Sequence, residues 1–215
     1  MSSPGSTDRT RIRRLPELAI TEQQSLYAVL DAGLVAHVSV LDNGLPYVIP
    51  VAFARSGERV LFHGSSGSRL FTTLAEGEPT CLTVTLLDGL VLARSAFESS
   101  MNYRSVMVLG SCDVVSESDK TDALRAITDH LLPGRWDSLR PVTRKELAAT
   151  IVLSLSLEEC SVKIRTGGSD EPAEDQHWPV WAGVLPIHEA FGKPIPMADL
   201  DPAIDVPEHV QKMSR

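Results

Sequence analysis

The stretch LVAHVSVLDNGLPYVIPVAFARSGERVLFHG, residues 34–64, decides the fold. Its first seven residues alternate apolar and polar side chains, the period of a strand with one face in a core. Asn43-Gly44 follows, a dipeptide favoured in two-residue hairpin turns because both central positions require positive φ. LPYVIPVAFA returns as a second strand. Pro46 and Pro50 cannot donate to a ladder, so this strand is expected to lie partly at an edge. Ser56-Gly57 then turns the chain into VLFHG, a third strand. Three strands joined by tight turns are antiparallel neighbours, because a parallel pair would need a long crossover between them.

The rest of the chain extends this pattern. Upstream, Thr21-Glu22-Gln23-Gln24 reads as a capping box opening a helix with Leu26, Val29 and Leu30 on one face, stopped by Gly33. Downstream, residues 68–75 are a short helix candidate, and residues 80–87 and 90–94 are two strands around a turn at Asp88-Gly89. SVMVLGSCDVV (105–115) carries the longest strand signal, and a helix with Leu124, Ile127 and Leu131 on one face follows. KELAAT ends a third helix before the last strands, IVLSLSL and SVKIRT. Roughly six to eight strands, hairpin-linked, with two or three peripheral helices make a mainly β, α+β protein. The βαβ rhythm and the G-x-G-x-x-G turn of a dinucleotide fold are both missing. An antiparallel barrel with small helices outside it is the expected architecture.

Composition narrows the function. Twenty Lys and Arg against 28 Asp and Glu give a net charge of -8, which argues against nucleic-acid binding through general basicity. No apolar run approaches the roughly 20 residues of a membrane span, and the Arg-rich start has no apolar stretch after it, so neither membrane nor secretion is expected. Cys81, Cys112 and Cys160 lie far apart without a CxxC, and read as buried small hydrophobes in a reducing, cytoplasmic compartment. Four arginines against Asp8 mark residues 1–16 as a flexible basic segment. Residues 167–215 hold seven of the 14 prolines and nine acids against three bases, the composition of an irregular arm. The barrel domain is then residues 17–166.

Four places can carry chemistry. FHGSSGSRLF (62–71) ends a strand at His63 and Gly64, then offers Gly67, serine hydroxyls including Ser68, and Arg69 at a helix start, a cradle for a phosphate dianion. A solvated Gly/Ser connection has the same composition. Asn102, Tyr103, Arg104 and Ser105 crowd the entry of an apolar strand, which suits the edge of a planar heteroaromatic ligand or an exposed strand end. Lys163 and Arg165 share one strand face as a local positive patch, or as an ordinary solvated pair. Trp181 stands in the arm, where its indole needs cover from the core, a ligand or a partner subunit. No metal partner falls near His63 at ligand spacing, and no G-x-S-x-G elbow occurs, so neither a metal site nor serine catalysis is expected.

Taken in order, PYVIPVAF, LFHGSSGSRL, LLDGLVLARSAFESSMNYRSVMVLG, HLLPGRW, SVKIRTG and PVWAGVLP resemble the flavin-nucleotide-binding branch of the pyridoxamine 5'-phosphate oxidase-like split-barrel superfamily, which includes the nitroimidazole-resistance reductases. The resemblance spans residues 26–186. It implies a six-stranded antiparallel split barrel that forms a homodimer with FMN at the subunit interface. Residue by residue, it implies backbone groups around Pro50, Val51 and Ala52 at the isoalloxazine rim, His63 and Gly64 beside the ribityl chain, and Ser68 with Arg69 on the phosphate. Arg104 and Ser105 would add flavin contacts, Lys163 and Arg165 would reach the site from the partner chain, and Trp181 would cover the ring. An acidic protein must gather local cations for a dianionic phosphate, which fits this reading. KIRT only partly echoes the C-terminal RLHDR-like pair of true pyridoxamine phosphate oxidases, so vitamin synthesis is not expected. The implied activity is an FMN-dependent oxidoreductase acting on a small molecule, with a donor such as a reduced nicotinamide. His63 is the candidate proton donor. A non-catalytic flavin carrier or sensor, or a barrel holding haem or a deazaflavin, are the alternatives.

Overall fold

A computed structural model describes residues 2–213. The Asn43-Gly44 turn has φ of 50° and 79°, and it closes Asp42 onto Leu45. It joins β2 (Val35–Asp42) to β3 (Leu45–Ser56), and the turn at Gly57 leads into β4 (Arg59–Ser65). Before them stand β1 (Ala19–Ile20) and α1 (Gln23–Ala32), and after them α2 (Arg69–Ala75), β5 (Pro79–Leu92), β6 (Ser100–Ser111) and β7 (Asp113–Val114). α3 (Lys120–Leu131), α4 (Arg144–Ala148), β8 (Thr150–Ser156), β9 (Cys160–Arg165), β10 (Gly183–Pro186) and α5 (Glu208–Gln211) complete the chain. Every described strand pair is antiparallel. The fold class is as expected, with a larger strand count. β1, β7 and β10 are short additions, and the closing stretch divides into β8 and β9 because each pairs with a different neighbour.

The strand order is β1-β9-β6-β5-β2-β3-β4-β8-β7, with β10 on β5. β8 and β9 lie near opposite ends of this order, yet only residues 157–159 separate them in the chain. Those residues draw the sheet round into a barrel. Leu157 N–H donates to the Glu58 carbonyl at 3.0 Å, and Leu109 N–H donates to the Glu159 carbonyl at 2.8 Å. Inside lie Ala36, Val38 and Val40 of β2, Phe53 opposite Phe62, and Val106 and Val108 of β6, with Leu26, Val29 and Leu30 of α1 packed among them. Each such side chain adds about 1.5–3 kcal/mol by leaving water. α3 lies outside the barrel, where Ala123 and Ile127 cover Ala54, Leu61 and Val152.

Several local readings change. α1 starts one residue late, with Glu22 as its cap and no side-chain cap bond, so the expected Thr21 capping box does not form. Asp88-Gly89 is not a turn. β5 runs through it as one strand, and the register against β6 slips between Leu87 and Gly89. This bulge leaves Asp88 without a cross-strand partner. Residues 2–16 lie along the barrel: Gly5 N–H donates to the Cys160 carbonyl at 2.7 Å, Thr7 and Arg9 bind Glu159, and Thr10 is buried. The arm is not wholly irregular, since β10 pairs Gly183–Pro186 with Leu92–Gly89 of its own chain.

A capping box does form at α4, where Thr143 Oγ1 accepts from Glu146 N–H and Glu146 Oε2 accepts from Thr143 N–H at 2.8 Å. The Arg140 guanidinium, then the Thr143 donors, pull the Glu146 carboxyl down to about 2. A depressed carboxylate stabilises the fold fully above its unfolded pKa, and this contribution fades as pH falls from the ordinary carboxylate range toward about 2. An NMR titration is expected to place the Glu146 midpoint near 2, with the α4 amides losing protection over the same acid window. A midpoint in the ordinary carboxylate range would contradict this arrangement.

Candidate functional site

The residues singled out by the sequence fall into two groups. The first surrounds the open half of β3. Residues 45–52 of β3 pair only with β2, because β4 joins from Phe53 onward. The backbone of Pro50, Val51 and Ala52 therefore has a free side, as the prolines suggested. His63 stands beside this edge on β4. Desolvation lowers its pKa below the ordinary imidazole value. Gly64 lets the Phe71 ring of α2 come so close that a Cβ there would overlap it. This contact sets where Ser68 and Arg69 enter α2.

The Gly/Ser loop is already partly engaged. Ser66 N–H donates to the Ala149 carbonyl at 2.9 Å, Ser68 N–H to the Ser65 carbonyl at 2.9 Å, and Gly67 N–H to Ser65 Oγ at 3.2 Å. These amides are not pointed at an open cradle. The Arg69 guanidinium is 65% exposed, pairs with Asp42 and sits 5.5 Å from the centre of the Tyr47 ring. Hydrogen bonding to Asp42 raises its pKa. An incoming phosphate would have to compete with this carboxylate.

The second group lies on β6 and β9. Arg104 makes a two-point contact with Asp88, Nε to Oδ2 at 2.9 Å and Nη2 to Oδ1 at 2.7 Å, and this hydrogen bonding raises the Arg104 pKa. The bulge in β5 supplies that partner. Arg165 donates to Asn102 Oδ1 at 2.8 Å and to the Gly168 carbonyl at 3.1 Å, so Asn102 is buried rather than at an exposed strand end. Lys163 Nζ donates to the Arg14 carbonyl at 3.2 Å, and Ser105 Oγ approaches the Lys163 carbonyl at 3.4 Å. Strands β5 and β2 lie between the two groups in the strand order. Trp181 is 68% exposed just before β10.

Between the groups lies a cleft of about 900 Å³. β2 and β5 pair only at His37↔Thr83 and Val38↔Leu82, then part. Leu34, Val35, His37, Leu86 and Arg104 line the opening, with residues 187–191 of the arm across it. Sequence reading missed His37 and His188 here. His37 is the one ionisable side chain in LVAHVSV, a signal that was available. His188 lies in a segment without periodicity, so nothing marked it. Burial pushes the Cys112 thiol up to about 12 and the Cys160 thiol up to about 11, which keeps both protonated at neutral pH. Among the described residues no helix is long and apolar enough to cross a membrane.

A sequence profile of the pyridoxamine 5'-phosphate oxidase family matches residues 22–164, about two thirds of the chain. The chain belongs to this family. Among solved structures of the family's fold, the flavocytochrome Anf3 from Azotobacter vinelandii is 45% identical with a TM-score of 0.92, covering 100% of this chain and 99% of its own. The FAD and haem binding protein from Mycobacterium smegmatis is 39% identical with a TM-score of 0.88, covering 92% of this chain and 97% of its own. A candidate 5-nitroimidazole antibiotic resistance protein from Bacteroides thetaiotaomicron has 20% identity and a TM-score of 0.57, covering 68% and 86%, and this likeness concerns the fold alone. No curated protein matches. Within the pyridoxamine 5'-phosphate oxidase family, the expected split barrel is confirmed.

Proposed function

We propose that this protein is a flavin-nucleotide-binding redox protein that works as a homodimer. The observation that carries the reading is its 45% identity, across the whole chain, to a protein named as a flavocytochrome. The free backbone edge at Pro50–Ala52, with His63 and Arg69 beside it, suits a flavin's polar rim and its phosphate. The resemblance points to FMN, whereas the 39% identical relative is named for FAD. The mass of the extracted cofactor separates the two. Dimerisation rests on an uncovered apolar surface in which Leu41, Leu45 and Val48 of β2 and β3 are each about 60% exposed. Surfaces of this kind usually meet a partner, and a second copy would bring Lys163, Arg165 and Trp181 to the first group. Light scattering is expected to give twice the chain mass.

The purified protein is expected to be yellow, and its flavin band to bleach on mixing with a reduced nicotinamide or another donor. A flavin that no donor bleaches would favour a carrier or sensor. Arg69→Ala is expected to weaken flavin binding by at least about tenfold, as loss of a charge-assisted phosphate contact would. Unchanged affinity would take Arg69 out of the site, and protein that stays colourless after soaking with FMN and with FAD would overturn the flavin reading. Haem is a second guest on this reading, favoured by one observation: both full-length relatives are named as haem proteins or cytochromes.

A further inference from the structure

The chain leaves the Trp181 indole in solvent and yet holds it in place. The ring folds back over Gly183, where a Cβ would stand 2.9 Å from Trp181 Cη2 and 3.0 Å from Cζ2. Gly183 opens β10 and is fixed opposite Leu92, the last residue of β5. On the other side of the indole, the Glu171 carboxylate accepts from both the backbone N–H and the guanidinium of Arg94, just beyond β5. The Glu171 side chain is 8% exposed, and Arg94 Nε is buried without a partner of its own, so this one carboxylate holds the guanidinium. Between the two anchors Trp178 N–H donates to the Asp175 carbonyl at 3.0 Å, and Val180 N–H to the Trp178 carbonyl at 2.8 Å. The arm is pinned before and after Trp181.

A large aromatic ring that is both exposed and immobile suits an interface anchor, because little freedom is left to lose when it is buried. Position selects the partner. Trp178, Val180 and Leu185 are exposed on the same stretch of arm, at the end of β5 marked by Leu92. The uncovered face with Leu41, Leu45 and Val48 lies toward the other end, since Leu41 and Pro46 line one cavity with Pro79 and Thr80, where β5 begins. Two apolar surfaces at opposite ends of one strand meet in pairs when a second copy packs with its β5 reversed. Each end of one copy then faces the other end of its partner, and the same contact is made twice. An unrelated partner on one surface would leave the other in water.

We propose that Gly183 and the Arg94–Glu171 pair are positioning residues, which fix Trp181 as the anchor that this chain sets onto the β2–β3 face of a second copy. The proposal rests on the homodimer reading and adds what orients the anchor. Gly183 gives the ring a flat seat, and the ion pair keeps the arm from swinging away with it.

Light scattering of the full chain across a dilution series tests this. Trp181→Ala should weaken dimerisation by at least about tenfold, as loss of a central Trp anchor does. Gly183→Ala pushes the ring off its seat, and an exposed ring can move aside, so the dimer should weaken while the circular dichroism spectrum stays that of wild type. Glu171→Gln should weaken it likewise. The deciding measurement is the double-mutant cycle. In a Trp181→Ala background neither change should weaken the dimer further, because a positioning residue has no effect once the residue it positions is gone. Losses that add would overturn the positioning role, and Gly183→Ala decides this alone if Glu171→Gln does not fold. A dimer unaffected by Trp181→Ala would overturn the anchor. Both of those outcomes leave the homodimer standing, whereas wild type that stays monomeric defeats the homodimer reading and the proposal with it.

Discussion

Phe53→Ala is expected to destabilise the protein by about 3–5 kcal/mol in urea denaturation, the range for a large aromatic cut back inside a close-packed core. Phe53 is 0% exposed and pairs with Phe62 across β3 and β4. Its ring centre lies 5.2 Å from that of His130 on α3, and its tip lies 3.5 Å from where a Cβ on Gly33 would stand. One side chain therefore joins the barrel interior, the end of α1 and the outer helix. Removing it leaves a cavity that rigid strands cannot close, so the loss exceeds the transfer energy of the atoms removed. Phe53→Leu fills most of that space and should cost less than about 1.5 kcal/mol. Equal midpoints for the two variants would show that the surroundings collapse freely. The His130–Gly33 bond leans on the same ring, and Gly33 lines the cleft. Phe53→Ala should accordingly weaken whatever binds there.

Gly64→Ala is expected to cost about 1–3 kcal/mol. Its backbone lies outside the left-handed region, so on conformational grounds alone the change would stabilise by about 0.4–1 kcal/mol. Space reverses the sign. The new methyl would stand 2.6 Å from Phe71 Cζ and overlap two further ring atoms. Phe71 is buried and lies 5.9 Å from the Phe62 ring, centre to centre, so it has no room to retreat. Either α2 moves, taking Arg69 with it, or β4 does. A thermal melt should fall by roughly 2–4 °C for each kcal/mol lost. A melting temperature equal to or above wild type would show that α2 is loosely seated. Flavin affinity should drop with it, since the Arg69 position depends on the same contact.

What the sequence determined by itself was the local part of the fold. Asn43-Gly44, Ser56-Gly57 and the apolar runs beside them specify hairpins, because turn geometry and the two-residue period act over a few neighbouring residues. The order of strands in sequence then leaves little freedom for the first half of the barrel. Motifs spanning residues 26–186 were also enough to suggest the family before any contact was known. The site was only half legible. His63, Gly64, Ser68 and Arg69 stand together because they are close in the chain, and sequence proximity guarantees that. Only the tertiary structure decided that Asp88 drops out of register to hold Arg104, that Asp42 occupies Arg69, and that the loop amides at 66–68 are spent internally. It alone placed His37 and His188, 151 residues apart by number, on one cleft. Those outcomes depend on where β2 and β5 part and where the arm returns. Both are set by packing between distant segments, and no local preference encodes such a meeting.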